Sequence, residues 1–235
     1  LLRARAFELE GEILDRRIAD RRLERDGDVQ DRLLAAALRV FADRGIASAT
    51  LREITEAAGA NVAAVNYYFR SKDELTRKVL ESCLRPVNEA RLAALQRCVE
   101  ASAPDSPSLE GIVEALVRPM VELTLDPAGG RSPVRLLLQV RALPKPLTNT
   151  ILAEQFDLIH NRFLDVLSQV LPSLTRYEVG LRYDFARGAI MQILGDLDPA
   201  ARDLPELHLK ERPRDQEAII SQLVAFISAG FRAGT

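Results

Sequence analysis

The chain has 235 residues, 47% of them apolar and 28% charged, with a formal net charge of −2. That length builds one large or two small domains, and the apolar fraction suffices for a packed core. No apolar run is long enough to span a membrane, nothing at the start reads as a secretory signal, and two cysteines, Cys83 and Cys98, exclude a disulfide framework. Both cysteines read as small, half-buried apolar residues, and a reducing cytoplasm is the expected home. The first residue is Leu1 rather than methionine, which reads as a truncated start.

Residues 1–27 form a charged N-terminal extension, with arginines such as Arg3, Arg16, Arg21 and Arg25 matched by an equal number of acids. Phe7, Ile13, Leu14 and Ile18 are too sparse to pack a helix, so the stretch reads as solvated and frayed. The first firm helix is predicted from about Val29 to Arg44, with Leu33, Leu34, Ala37, Leu38 and Phe41 on its apolar face and Gly45 at its end. Thr50 then opens an S/T-x-x-E capping box with Glu53. Leu51, Ile54 and Ala58 recur at helical spacing behind it, and Gly59 supplies the positive φ of a C-cap. Asn61 is a favoured N-cap for a second short helix, Val62 to Phe69, in which Val65 and Phe69 point inward. Two short helices joined by a glycine-containing turn of three or four residues describe a helix-turn-helix. Ser71 and Glu74 pattern as a second capping box at the start of the next helix.

With Val65 and Phe69 assigned to the core, Val62, Ala63, Asn66 and Tyr67 remain on the outer face of the second short helix. Asn66 carries the donor and acceptor needed to read an adenine edge, and the small Ala63 permits close approach to a groove. Tyr67 and Tyr68 join an aromatic surface to a phenolic O–H. Lys72 falls in a first helical turn, where free N–H groups favour an anion, and Arg52 can reach a guanine or a phosphate. Basic residues (Arg32, Arg39, Arg44, Arg52, Arg70, Lys72) and acids are nearly balanced between Asp28 and Leu75. A basic stripe, the usual electrostatic footprint on nucleic acid, is therefore missing.

The fourth helix is expected from Lys72 well past Val79. Pro86 interrupts it, because proline gives no N–H and clashes with the carbonyl of Ser82, so a kink is predicted near Arg85. Ala101 to Ser108 reads as a linker. Helical segments follow near Leu109–Leu125, Pro133–Leu143, Leu147–Leu171, Thr175–Gly195 and Asp215–Ala233. The last two carry apolar faces suited to a C₂ four-helix bundle. One face is Tyr177, Leu181, Phe185, Ala189, Gln192 and Gly195; the other is Ile219, Ile220, Leu223, Phe226, Ile227 and Phe231. With His160 and His208 far apart and no metal-ligand spacing or phosphate-cradling glycine loop, an enzyme is disfavoured and neither metal nor cofactor is expected.

FADRGIASATLREITEAAGANVAAVNYYFRSKDEL, within Asp28 to roughly Leu84, resembles the DNA-binding signature of the TetR family of bacterial transcriptional regulators. The resemblance implies an all-α chain with a helix-turn-helix DNA-binding domain over 28–84 and a ligand-binding and dimerisation domain over 85–235. It implies a cytoplasmic, nucleoid-associated homodimer that places two reading helices on the order of 34 Å apart on a pseudopalindromic double-stranded operator. It places Thr50, Arg52, Asn61, Val62, Ala63, Asn66, Tyr67, Tyr68 and Lys72 at DNA, where the family often has Ser or Thr at the position of Asn61. The charged extension 1–27 then has a second reading, an arm along the backbone or minor groove. A small effector is implied, with Gln139, Arg141, His160, Asn161, Arg187 and Gln192 as candidate polar liners. AAVNYYFRSKDEL, Pro86 and the ending QLVAFISAGFRA further resemble the PsrA-type branch, which implies a long acyl ligand whose carboxylate meets Arg141 or Arg187. A protein-interaction module built on the same helix-turn-helix is the alternative, given the even charge.

Overall fold

Local capping sets the helices of the N-terminal part. The computed structural model describes residues 27–125, 131–140, 145–196 and 215–234, with side chains omitted at 131, 145–149, 151, 152, 154, 155 and 196. The charged extension and Arg141 therefore lie outside the described residues. Helix α1 covers residues 27–44 and stops at Gly45, whose φ is 86°. Helix α2, Leu51–Ala58, begins with the full capping box: the Thr50 hydroxyl accepts from the Glu53 N–H, and the Glu53 carboxylate accepts from the Thr50 N–H at 2.9 Å. It ends at Gly59, φ 61°, a left-handed position that glycine takes without a Cβ penalty. Helix α3, Val62–Phe69, starts on Asn61, whose side chain accepts from the Ala64 N–H at 2.9 Å.

The core of this part is Leu33, Ala36, Ala37, Phe41, Ile54, Ala58, Val65 and Phe69, all buried. Burying each large side chain of that set contributes about 1.5–3 kcal/mol. Leu34 and Leu38, expected on the same face of α1, lie half-buried or more exposed at its shoulder, and Ala36 takes the inner position instead.

Helix α4, Lys72–Ser102, is one 31-residue helix, about 46 Å long at the usual rise. It runs through Pro86 as continuous helix, so the proline does not split it in two. Pro86 faces solvent, while Leu80, Leu84, Val87, Asn88, Arg91 and Leu95 form a buried stripe on both sides of it. Packing along that stripe holds the helix through a position where propensity alone would end it. The second capping box is only half made: Ser71 Oγ accepts from the Glu74 N–H at 3.1 Å, but the Glu74 carboxylate goes to Arg77.

The chain divides into two units, up to Val79 and from Leu80 onward. In the second, α5 (Leu109–Leu125) is buried at Leu109, Ile112, Val113, Leu116, Val117, Met120 and Val121, and so is apolar nearly all round. Around it stand α6 (Arg131–Val140), α7 (Lys145–Val170), α8 (Arg176–Asp196) and α9 (Gln216–Arg232). Helix α6 starts two residues earlier than expected, and its described part ends at Val140. Thr175 and Asp215 prove to be N-caps rather than helical residues. Among the described residues no helix is long and apolar enough to cross a membrane.

Helix α4 comes close to α5 at Gly111, where an added Cβ would sit 2.7 Å from Cys98 Sγ. Gly111→Ala is therefore expected to cost no more than about 1 kcal/mol, because Cys98 must turn its Sγ away while the helix gains from losing a glycine. Cys98→Ala in the same chain should recover most of that loss in thermal melts, whereas additive losses would place the strain elsewhere.

Helix α9 is tied to α5 at both ends. Arg118 bridges Glu114 and Glu217, and Arg232 bridges Glu110. Hydrogen bonds from Arg118 hold Glu217 below its ordinary value of 4.5, and those from Arg232 do the same for Glu110. Carboxyls depressed in the folded state contribute stability above their ordinary value and lose it as pH falls through the folded one. Melting temperature should thus drop in acid below about 4.5, and drop less in Glu110→Gln/Glu217→Gln; parallel curves would show the ties to be without thermodynamic weight.

Candidate nucleic-acid interface and effector cavity

The outer face of α3 follows from its two anchors. Val65 and Phe69 are 0% and 1% exposed, so the opposite side of the helix must face out. Val62, Ala63, Asn66 and Tyr67 are all exposed, Tyr67 at 75%. Tyr68 is half-buried and meets the Tyr67 ring edge-on with centroids 4.9 Å apart. The face therefore combines one amide, one phenol and two small apolar side chains on a rigid helix.

Other expected contacts have work within the fold. The Thr50 hydroxyl is engaged with Glu53, and the Asn61 carbonyl oxygen caps α3. Arg52 is exposed and lies 2.9 Å from Glu56 one turn on, a solvent-screened pair that a phosphate can replace. Lys72 also has a role within the fold. Its ammonium donates to the carbonyls of Ala47, at 3.1 Å, and Ala49, at 2.6 Å. It staples the loop ahead of α2, a long-range tie that its position in a first helical turn could not reveal. Arg70, the C-cap of α3, takes φ 62° and ψ −37°, a region disfavoured for any residue with a Cβ.

Of the expected dimer residues, Tyr177, Leu181 and Phe185 fall four apart on α8 and stand exposed, and Phe226 on α9 is 70% exposed. Phe185 and Phe226 line one shallow apolar groove with Ala186 and Gly230. Ala189 is half-buried. Leu223 and Ile227 correct the expectation: they are 6% and 4% exposed within the single chain. With Ile219, Ile220 and Phe231 they make the inner stripe of α9, which packs mainly on α5. A helix with apolar residues over most of its circumference does not declare which arc is internal.

A cavity of about 100 Å³ lies within the second unit, lined by Arg91, Met120, Leu137, Phe156, Arg187, Ile190 and Met191. Of the effector candidates among the described residues only Arg187 lines it. Arg187 pairs with Asp184 at 3.0 Å and lies over the Phe156 ring. His160 meets the buried Tyr183 ring edge-on, as a structural histidine does. The amide of Asn161 bonds back to the Asp157 carbonyl, Gln192 is exposed, and Gln139 is half-buried outside the cavity lining.

Arg91 is the charged lining residue that sequence reasoning does not single out. Burial lowers its guanidinium to about 10; the neighbouring Tyr183 opposes that shift and the Arg187 charge adds to it, and Arg91 is still a cation at neutral pH. The available signal is its register: Arg91 falls on the stripe of Leu84, Val87 and Leu95, where α4 should carry only apolar side chains.

A capped pair of short helices presenting one polar-aromatic face, followed by a helical unit with its own cavity, defines a two-part regulator of the helix-turn-helix class. Residues 33–79 match the family described as bacterial regulatory proteins, tetR family, and residues 114–230 match the tetracyclin repressor-like C-terminal domain. The chain belongs to the TetR family of transcriptional regulators, a class of regulators rather than of enzymes. It is 36% identical over 64 residues to the transcriptional regulator BetI of Rhizobium meliloti, 27% of this chain and 32% of that one. The chain spans about a third or less of the length of the curated relatives it matches. Its fold is similar to the fatty acid degradation regulator FadR from Bacillus halodurans (TM-score 0.64, 16% identity, 87% of this chain and 96% of that one). It is also similar to the ketosteroid transcriptional regulator KstR2 of Mycobacterium tuberculosis (TM-score 0.58, 20% identity, 86% and 93%).

Proposed function

We propose that the protein acts in the bacterial cytoplasm as a homodimeric repressor that holds a pseudopalindromic operator and lets go when a small, largely apolar effector binds. The observation that carries this reading is the α3 face: Asn66 and Tyr67 stand out on a helix fixed by the buried Val65 and Phe69. Asn66 reads an adenine edge, Val62 and Ala63 meet thymine methyls, and Tyr67, Arg52 and Arg70 bond phosphates. The domain over 28–84 does the reading; that over 85–235 holds effector and partner. The exposed stripe of Tyr177, Leu181 and Phe185 with Phe226 is the dimer surface, because an apolar patch of this kind marks an interaction site.

Effector and operator are linked through two states of the dimer, and an effector shifts them only by its differential affinity. Apolar walls support an acyl effector of the kind handled by the PsrA-type branch. Ligand pockets usually run about 300–1,000 Å³, so the cavity must widen to take a long chain.

The test is selection of genomic fragments by the purified protein across a salt series. A recovered pseudopalindrome with a steep negative salt slope supports the reading. The even charge of the first unit favours one rival, a protein-interaction module; folded dimer that enriches no fragment at low salt would establish that instead.

A further inference from the structure

Arg91 is 7% exposed, yet among the described residues no carboxylate lies against it. Its Nε donates to the Leu116 carbonyl at 3.0 Å, the only hydrogen bond of its guanidinium among those residues. Leu116 is next to Ala115, whose carbonyl receives no N–H from Pro119. The two Nη groups are left with the cavity, which Arg91 itself lines. A buried charge is normally paired, since removing it from water without a counterion is costly. The second cation on the wall, Arg187, is already matched by Asp184. The rest of the lining is apolar and includes both methionines of the chain, Met120 and Met191, side chains that re-pack readily around ligands of varied shape.

We infer that the effector is an organic carboxylate, with Arg91 as the counterion of its head and the methionine-lined wall around its apolar body. This rests on the ligand-gated reading, whose acyl resemblance already implies a carboxylate, and assigns the counterion to Arg91 on α4 in place of Arg141 or Arg187. A planar carboxylate matches the guanidinium fork, with one oxygen for each Nη. A neutral alcohol of the same length offers no charge to offset the buried cation. The inference also places ligand recognition on α4, the helix that begins at Lys72.

The test uses the full chain and two parallel series: straight-chain carboxylates from butanoate to dodecanoate with benzoate and phenylacetate, and the matched primary alcohols. Thermal shift without DNA reads binding; operator release is measured separately. Carboxylates are expected to stabilise the protein and alcohols not to. Arg91→Met, which keeps volume and removes the charge, should melt no lower than the parent and bind carboxylates about a hundredfold more weakly. Arg91→Lys should retain part of the affinity. Equal stabilisation by alcohols, no carboxylate effect across the series, or full carboxylate affinity in Arg91→Met would each overturn the inference. The alcohol comparison on the parent decides the matter even if Arg91→Met does not fold. Loss of operator binding in the parent would sink the regulator reading alone, because the thermal-shift arm does not involve DNA.

Discussion

Phe185→Glu combined with Phe226→Glu is expected to give a folded monomer that no longer holds its operator. Both rings are mostly exposed, 65% and 70%, so they contribute little to the single chain. In a C₂ interface each substitution acts twice, placing four carboxylates in one apolar patch. Losing the second half-site removes avidity, so operator affinity should fall by about a hundred- to ten-thousandfold. Light scattering gives the mass, a melting curve the integrity, and fragment binding the affinity. A dimer that survives both substitutions would move the interface off this stripe. Leu223→Glu is the instructive contrast: Leu223 is buried within the chain, so this change should unfold the protein rather than divide it.

Asn66→Ala is expected to weaken operator binding about ten- to a hundredfold and to relax sequence preference at one position of each half-site. Its melting temperature should not move, since the side chain is exposed on α3. The salt slope should also stay, because bonding to a base edge releases no counterions. Arg52→Gln separates base reading from phosphate binding. It should lower affinity for every sequence alike and reduce the salt slope by about one unit for each phosphate that Arg52 neutralises. Should Asn66→Ala instead leave the preferred sequence intact, specificity would rest with Tyr67 and the apolar surface of Val62 and Ala63, or with the shape of the DNA.

What is legible in the chain is what is decided within a few residues. The Thr50 box, the Gly59 turn, the Asn61 cap and the inward Val65 and Phe69 depend on spacing of three or four, and the structure reproduces each. Lys72 escapes such a reading because its partners, Ala47 and Ala49, come from a loop more than twenty residues away. Pro86 is half legible: the missing N–H marks a weak point, while the buried stripe running through Arg91, which carries the helix past it, needs the fold. On α9, apolar residues cover too much of the circumference for periodicity to separate Leu223 and Ile227 from Phe226. Arg91 stands out in the sequence only as a charge out of place on an apolar register, and its meaning needs the cavity.

The backbone at Arg70 bears on how this sequence can change. A residue with a Cβ at φ 62°, ψ −37° carries conformational strain of about 1–3 kcal/mol that glycine would largely escape. Selection for heat resistance alone would therefore drift toward glycine at the end of α3, and with it lose a cation beside the proposed DNA surface. Under the proposed DNA reading, arginine at this position trades stability for activity. Lineages adapting to higher temperature would have to find their gains elsewhere, in the helical unit, before they could keep it.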